Sequence, residues 1–510
     1  MSKKYQCKRQ PLGVSIFLSK YFRQVVNIPC FIARAREPLC LIAALIFISS
    51  CTTLRPITDT SDIIYKQAAL TEEEVKIWPF MDIRKDSIPG INLYGAYDFL
   101  KNREGIQIIA GVIDSGIDIE HKDLKKNVWI NDDEISGNQV DDDQNGYVDD
   151  TLGWNFLGNK MYDMLYAPYA ISRIVARHEY NQRKGIYNYD SLLQEYEMRS
   201  TQVGEQYARF TALDMSSVPE GTKKYFQHLE AQAMYHYNLY YDPREVYIGD
   251  DPHDWSDQDY GNPNIIGFKD KESHGTHVTG ILAAISRNET IIPIRTIPDG
   301  DEYDKDVALA IRYAVDNGAK VVNMSFGKGY SEHADWVQEA IQYAAVKDVL
   351  LIHAAGNDQK NIDLEDNFPS DNKDGVEIAN NVITVGATTR YFNEKLVSEF
   401  SNYGRQNVDI FAPGSHIYST LPNNEYGFQQ GTSMAAPAVA GVAVLIRSYY
   451  PELTAIHVKK IIMDSGIEVP FKVIVPGTNE MKPFTELCQS GRILNAYNAL
   501  LMAHKISKGI

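Results

Sequence analysis

The chain has 510 residues, of which 44% are hydrophobic and 23% charged, and its formal net charge is −17. These proportions are typical of globular proteins and exclude a collagen, a disulfide-stabilised miniprotein and a wholly disordered chain. At about 150 residues per domain, this length fits three domains or one large domain with extensions. Because nucleic-acid binding depends on positive charge that neutralises phosphates, no nucleic-acid partner is expected for so acidic a chain.

Residues 1–50 differ from the rest of the chain, because they carry eight Lys and Arg residues and a single acid. Within them, residues 39–48 form an uninterrupted apolar run. A bilayer-spanning helix needs about 20 such residues, so this run is too short to cross a membrane. A basic stretch followed by a short apolar run is typical of a signal peptide. The run ends in two serines and Cys51, which resembles the bacterial lipoprotein signal, in which the Cys is acylated.

We therefore predict that residues 1–50 are removed and that Cys51 carries a lipid anchor at a bacterial cell envelope, periplasmic or surface-exposed. The alternative is a buried apolar segment followed by a chance Cys, and the long basic stretch is also explained by a true start codon downstream of Met1. The other leader cysteines would be lost, so Cys488 has no disulfide partner in the mature chain. Residues 51–90 are predicted to be a tether with one short helix at 71–76.

An alternation of strand-like and helix-like patterns begins at residue 91. Helical patterns occur at 303–317 and 331–347, between short apolar runs. The runs predicted to be buried strands are residues 106–113, 320–324, 349–353, 381–385 and 408–411. This alternation predicts an α/β fold with a mostly parallel sheet and helices on both faces. In such sheets ligands bind beyond the carboxyl ends of the strands, so polar residues at these ends are candidate site residues.

Four polar residues at predicted strand ends and helix starts carry the chemistry of acyl transfer. Asp114 ends the first strand, Asn357 follows the third, and His274 and Ser433 each open a helical stretch. A serine hydroxyl needs a neighbouring base, and that base needs an orienting acid. Ser433 is the candidate nucleophile, His274 the base and Asp114 the orienting acid. The Asn357 amide, with the Ser433 backbone N–H, is the candidate donor pair for an oxyanion.

The motifs that hold these residues are DSG at 114–116, HGTHVTG at 274–280, AAGN at 354–357 and GTSMAAP at 431–437. In this order they resemble the subtilisin-like serine protease (subtilase) family. The resemblance covers about residues 91–158 and 256–450, and it extends weakly to about residue 500. It implies a three-layer subtilisin-like fold and a monomeric endopeptidase that acts on proteins or peptides without a catalytic cofactor. It also implies that Ser325, Phe326 and Gly327 pair with the substrate backbone.

Residues 159–255 separate the Asp motif from the His motif and are not part of this resemblance. They are rich in Tyr, Gln, Arg and Glu, with apolar residues at helical spacing. We predict an α-helical hairpin or small bundle, inserted into a peptidase domain of residues 91–510. Its aromatic residues are either its own core or a rim of the cleft. The insertion, the NGYVDD sequence and the lipoprotein signal together resemble lipoprotein-type subtilases of Bacteroidetes bacteria.

The acidic loop DDDQNGYVDD, residues 141–150, places oxygen-bearing residues at alternate positions. Five of its residues match positions of a calcium-binding loop: Asp141, Asp143, Asn145, Tyr147 through its carbonyl, and Asp149. Leu152 stands where an EF-hand has its bidentate Glu, so this loop is not an EF-hand. The loop predicts a structural Ca²⁺ site, with a solvated acidic turn as the alternative.

Three functions remain open at this point. The first is a lipid-anchored serine endopeptidase of broad activity. The second is a maturation protease of the envelope with one dedicated substrate. The third is a non-catalytic, calcium-dependent binding protein that retains the subtilase scaffold.

Overall fold

The structure is a computed structural model that describes residues 68–509 except 178–186 and 214–217, together with the isolated positions 56, 60, 63 and 66. The predicted signal segment and Cys51 lie outside the described residues. The described residues belong to one compact unit.

The strands, in chain order, are β1 Ile108–Asp114, β2 Trp154–Asn155, β3 Glu289–Arg295, β4 Val321–Met324, β5 Leu350–Ala354, β6 Asn372–Lys373, β7 Val376–Glu377, β8 Val382–Thr388, β9 Ile410–Pro413, β10 Ile417–Leu421, β11 Glu425–Gln429, β12 Ile467–Glu468, β13 Lys472–Ile474, β14 Met481–Pro483 and β15 Arg492–Ile493. The α-helices are α1 Glu72–Ile77, α2 Leu93–Leu100, α3 Ala170–Ala176, α4 Tyr189–Thr211, α5 Glu220–Ala231, α6 His274–Ser286, α7 Asp304–Asp316, α8 Ala334–Val346, α9 Thr432–Tyr449, α10 Ala455–Ser465 and α11 Ala496–Lys508.

The main sheet has nine strands within the described residues, in the order β12-β15-β9-β8-β5-β4-β1-β3-β2. All neighbours in it pair in parallel except β12 and β15. The five strands predicted from the sequence are present as β1, β4, β5, β8 and β9. The predicted α/β class with a mostly parallel sheet is therefore confirmed. The strand β3, which the sequence did not predict, lies between β1 and β2.

Side chains of the strands alternate between two hydrophobic cores, one on each face of the sheet, because successive residues of a strand point in opposite directions. Val112 belongs to the core that contains the buried sides of α6 and α9. Its neighbour Ile113 belongs to the core that contains α7 and α8. Helices therefore cover both faces of the sheet, as the three-layer prediction requires.

Helix α9, which begins beside the candidate nucleophile, is the central helix of one core. Among the described residues it is the one helix long and apolar enough to cross a membrane, but 89% of it is buried inside the domain. Such burial is what the central helix of a folded core shows, so α9 is a core helix.

The segment before residue 91 contributes to this core. Helix α1 forms where the sequence predicts a short helix, and Thr71 and Glu74 make a reciprocal capping box at its start. Trp78, Ile88 and Ile91 are fully buried in the core that contains α9. From residue 78 onward, the segment predicted as a tether is therefore part of the folded domain.

The insertion between the Asp and His motifs is helical, as predicted, with α3, α4 and α5 in its described parts. Helices α4 and α5 pack together through aromatic rings, including a stacked pair of Tyr207 and Phe226 at 5.5 Å. Its later part is bound to the rest of the domain by the fully buried Arg244, whose guanidinium contacts Asp306 of α7 at 2.7 Å and Asp250, within the insertion itself, at 2.5 Å. The insertion is therefore attached through buried charge as well as apolar packing.

Candidate active site

Asp114 and His274 meet where β1 ends and α6 begins. Nδ1 of His274 lies 2.8 Å from Oδ1 of Asp114, and the carboxylate is buried. The Ser115 N–H also donates to Oδ1, at 2.8 Å, and the Gly275 N–H donates to the Ser115 hydroxyl at 3.1 Å. A side chain at Gly275 would place its Cβ 2.7 Å from the Ser115 carbonyl oxygen, so this close approach of helix and strand requires glycine.

The charge of Asp114 sets the protonation of His274. Burial by itself would lower the pKa of His274, but the neighbouring carboxylate and its hydrogen bond raise the pKa above its ordinary value. Because Nδ1 donates to Asp114, the neutral ring carries its lone pair on Nε2. The imidazole side chain is 39% exposed, so a reacting group has access to it.

Ser433 is the second residue of α9 and lies at the same edge of the sheet. Its hydroxyl donates to the Ser325 carbonyl at 3.0 Å, and the Ser325 hydroxyl donates to the Ser433 carbonyl at 2.8 Å. Ser325 directly follows β4, which pairs with β1 with Met324 opposite Ile113. No hydrogen bond joins Ser433 to His274 among the described residues. Such catalytic bonds are often long without substrate.

Asn357 lies beside the start of α9 and has a fixed orientation. Its Oδ1 accepts a hydrogen bond from the Thr432 N–H at 2.9 Å and a second from the Thr432 hydroxyl at 3.2 Å. The Asn357 amide nitrogen is therefore directed away from Thr432. The Ser433 N–H is a further donor, because the first N–H groups of a helix have no partner within the helix. Gly431 adopts a φ of 151°, and a Cβ at this position would lie 3.6 Å from both the Asn357 amide nitrogen and the Ser433 nitrogen.

Ser325, Phe326 and Gly327 leave β4 beside this site. The carbonyl of Phe326 accepts a hydrogen bond from Nε2 of the buried His353 at 2.9 Å. Burial lowers the pKa of His353 to about 4, so this ring is a neutral donor. No hydrogen bond among the described residues engages the backbone of Gly327. This backbone is therefore free to pair with an extended peptide.

His277, the second histidine of the HGTHVTG motif, has a different position. Its Nε2 lies 3.1 Å from the carbonyl oxygen of Ile417 and 3.2 Å from that of Gly427, on two strands of a hairpin. Burial lowers the pKa of His277 to about 4, so the ring stays neutral and donates. It joins α6 to the hairpin β10–β11 and is not placed to act as the base.

In the acidic loop, two of the five predicted calcium ligands come close to a third carboxylate. Carboxylate oxygens of Asp141 and Asp143 lie within 4.8 Å of each other and of an oxygen of Glu134, which stands outside the DDDQNGYVDD segment. Three carboxylates suit a hard cation such as Ca²⁺. The two oxygens of Glu134 also accept N–H bonds from Asp142, at 2.7 Å, and from Asp149, at 3.2 Å.

The other three predicted calcium ligands also make contacts of their own. The Asp149 carboxylate accepts three backbone N–H bonds, of 2.6 to 3.0 Å, from residues 137–139. The Asn145 amide donates to Asp143 and Asp150 at 3.0 and 3.1 Å. The Tyr147 ring packs against Trp154 and other buried rings. These contacts order the loop, and the ligand role of Asn145, of the Tyr147 carbonyl and of Asp149 stays a prediction.

The comparison with known families identifies this architecture. A model described as the Subtilase family, Peptidase_S8, matches residues 105–489, well over half of the chain. This chain belongs to the subtilase family. The match includes the positions of all four motifs and spans the helical insertion of this subtilase.

Curated relatives align with a smaller part of this subtilase than the family model does. The cell wall-associated protease of Bacillus subtilis (strain 168) is 37% identical over 223 residues, 42% of this chain and 23% of the relative. The thermophilic serine proteinase of Bacillus sp. (strain AK1) is 39% identical over 207 residues, 38% of this chain and 46% of the relative. The chain thus spans less than half the length of either relative. A crystal structure of a lanthipeptide protease aligns with 85% of this chain and 96% of its own, at 19% identity and a TM-score of 0.47.

Several residues that shape the site were not predicted from the sequence. Thr432 orients Asn357, His353 holds the Phe326 carbonyl, and Glu134 completes the acidic cluster. Thr432 lies within GTSMAAP, so its place between the glycine and the nucleophile was a usable signal. His353 ends the predicted strand 349–353 and directly precedes AAGN, but its partner is defined only by the fold. Glu134 stands in no recognisable pattern.

Proposed function

We propose that this subtilase is a serine endopeptidase, with Ser433 as nucleophile, His274 as general base and acid, and Asp114 as the orienting acid. The single observation that supports it most is the 2.8 Å hydrogen bond between Asp114 and His274, at the sheet edge where Ser433 opens α9. Substrates are proteins or peptides, bound as an extended strand along residues 325–327.

Acylation begins when the Ser433 oxygen attacks the scissile carbonyl carbon and its proton moves to Nε2 of His274. The imidazolium that forms is stabilised by the buried Asp114 carboxylate, which accepts the Nδ1–H. The oxyanion of the tetrahedral intermediate accepts hydrogen bonds from the Asn357 amide and the Ser433 N–H. Collapse breaks the C–N bond as His274 gives the proton to the leaving amine.

Deacylation uses the same groups with water in place of the amine. His274, neutral again, removes a proton from water as the water attacks the Ser433 ester. The second tetrahedral intermediate collapses, Ser433 recovers its proton from His274, and the carboxylic acid product leaves. No metal or organic cofactor takes part in these steps.

The proposed function is tested by labelling residues 52–510 with a fluorophosphonate and by following the cleavage of casein. We expect the wild-type chain to be labelled and to cleave casein, and Ser433→Ala to do neither while keeping its melting temperature. A folded wild-type chain that takes no label would refute the proposal and favour a non-catalytic, calcium-dependent binding protein.

A dedicated maturation protease is the second candidate, because the insertion contacts the loop after the proposed substrate segment, through a bond between Tyr330 and Glu195. Broad cleavage of unfolded proteins would contradict it. A peptide-library profile of the wild-type chain, with Ser433→Ala as control, separates the two: a single narrow sequence favours maturation of one partner.

We further propose that the mature chain is a lipid-anchored monomer at a bacterial envelope, of the lipoprotein type seen in Bacteroidetes subtilases. This proposal depends on the sequence around Cys51. Cys51→Ser is expected to move the protein from the membrane fraction to the soluble fraction. Unchanged partitioning would refute the anchor without affecting the proposed activity.

A structural Ca²⁺ in the acidic loop also remains a proposal. It is supported by the convergence of Glu134, Asp141 and Asp143 and by the alternate oxygen-bearing residues of the loop. The ion would stabilise the loop and takes no part in the chemistry at Ser433.

A further inference from the structure

The helical insertion makes hydrogen bonds and an ion pair with residues 330–332, in the loop that follows the proposed substrate segment. Tyr187 bonds Ser331 twice, since its hydroxyl donates to the Ser331 carbonyl at 3.0 Å and accepts from the Ser331 N–H at 2.9 Å. The hydroxyl of Tyr330 donates to Glu195 of the insertion at 2.6 Å. A third insertion residue, Arg173, forms an ion pair with Glu332. Three consecutive loop residues are therefore each held by a different part of the insertion.

That third contact is the buried ion pair between Arg173 and Glu332. Nε of Arg173 donates to Oε2 of Glu332 at 2.8 Å, and both side chains are less than 10% exposed. The remaining guanidinium nitrogens donate to the carbonyls of Pro168, Asp301 and Glu302 at 2.6 to 2.9 Å. Because the guanidinium is planar, these bonds fix its position, and Glu332 is fixed with it.

The opposite side of the same loop is held by the catalytic domain. Oδ2 of Asp304 accepts the N–H groups of Glu332 and His333, each at 2.8 Å. Oδ1 of Asp304 pairs with Nζ of Lys328 at 2.8 Å, and Nζ also donates to the Glu302 carbonyl at 2.7 Å. Lys328 is the residue next to Gly327. Two buried ion pairs, joined by the hydrogen bond from the Glu332 N–H to Asp304, therefore lead from Arg173 to the segment proposed to bind substrate.

We propose that Arg173 is a positioning residue, and that through Glu332 the insertion holds residues 325–327 in the register that an extended substrate needs. This inference rests on the proposed function, because it assigns the substrate class as chains long enough to lie along the loop that the insertion holds. Arg173 does not touch the reacting atoms. Its effect is therefore expected on the binding of long substrates and not on the chemical step.

The test compares Arg173→Gln with the wild type on a short and a long fluorogenic peptide of the same cleavage sequence. For the long peptide we expect KM to rise about tenfold while kcat changes less than about threefold, the pattern of lost ground-state binding. For the short peptide, and for the rate of fluorophosphonate labelling, we expect values close to those of the wild type.

Two further variants serve as a second test of the positioning role and as its control. Tyr187→Phe removes the bonds to Ser331 without leaving a buried charge, and is expected to raise KM for the long peptide even if Arg173→Gln does not fold. Arg209→Gln, on the same insertion, removes a guanidinium from an exposed pair with Glu205 and is expected to change nothing.

The outcomes separate this inference from the proposed function. A wild-type chain that takes no fluorophosphonate label overturns the proposed function. A labelled wild type, with KM unchanged for the long peptide in Arg173→Gln and Tyr187→Phe, overturns the positioning role alone. Equal losses of kcat/KM for both peptides, with slower labelling, also overturn it, because they indicate general damage to the site.

Discussion

The Asn357 side chain and the Thr432 backbone are joined by a hydrogen bond of 2.9 Å, in which the Asn357 oxygen is the acceptor. This bond has a chemical consequence, since it leaves only the amide nitrogen of Asn357 available to a ligand. The orientation of a candidate oxyanion donor is thus set by the residue that immediately precedes the proposed nucleophile Ser433. Substitutions at Asn357 can separate its accepting role from its donating role.

Asn357→Asp keeps the acceptor for Thr432 and removes the donor, whereas Asn357→Ala removes both. We expect kcat on a peptide amide to fall about 10²–10³-fold in both variants with little change in KM, the loss known for a subtilisin oxyanion donor. Only Asn357→Ala is expected to lower the melting temperature appreciably. A kcat within a few-fold of the wild type in Asn357→Asp would contradict the oxyanion role.

In the proposed mechanism, the pair of Asp114 and His274 determines the pH dependence of activity. The general base must be neutral, so kcat/KM falls as pH drops through the pKa of His274, which the Asp114 carboxylate raises. Asp114→Asn removes this charge, so we expect the acidic limb of the pH profile to move to lower pH. The maximal rate should fall about 10⁴-fold. An acidic limb at the same pH in the variant would show that another group titrates.

The same pair contributes to stability in the opposite pH range. Since the pKa of His274 is raised on folding, its contribution is present below the unfolded value and is lost as pH rises through the folded value. In a Ser433→Ala background, which avoids self-cleavage, Asp114→Asn is expected to lower the melting temperature more at acidic than at alkaline pH. Equal losses at both would contradict this linkage.

Much of the fold was predictable because the buried parallel strands are short apolar runs that end in polar residues. The strand β3 escaped prediction for a physical reason. Its sequence ETIIPIR contains Pro293, which has no N–H for a strand ladder, and a proline argues against a central strand. In the structure Pro293 pairs in register with Val112, while the neighbouring Ile291 and Ile292 are buried in the cores on opposite faces of the sheet. The burial of β3 side chains on both faces of the sheet therefore outweighs the hydrogen bond that Pro293 cannot donate.

The candidate site was predictable to the extent that its residues end strands or begin helices. Asp114, His274, Asn357 and Ser433 are of this kind, and the structure gathers them at one edge of the sheet. The contact of Arg173 with Glu332 is different, since 159 residues separate the pair and neither lies in a motif. Only the way the insertion folds back on the domain brings such partners together.

Removal of calcium is expected to destabilise the chain through its acidic loop. We expect a chelator to lower the melting temperature of the wild type, because an ion that binds only the folded state adds stability that grows with its concentration. Asp143→Asn removes a carboxylate of the cluster and should abolish this response. Asp149→Asn is the matched control, since its carboxylate bonds the loop backbone: it should lower the melting temperature with and without chelator. A wild type indifferent to chelation would contradict the site.

Replacement of Arg244 is expected to cost much of the stability of the domain. Its guanidinium is fully buried between Asp306 and Asp250, so Arg244→Gln leaves two buried carboxylates with one cation fewer. Breaking a buried pair in this way costs roughly 3–5 kcal/mol, measured as the free energy of unfolding in denaturant in a Ser433→Ala background. Arg209→Gln is the matched control, because its pair with Glu205 is exposed and such pairs contribute at most about 1 kcal/mol. A similar small loss in both variants would show that the insertion is held by apolar packing and that the charges of Arg244 are dispensable.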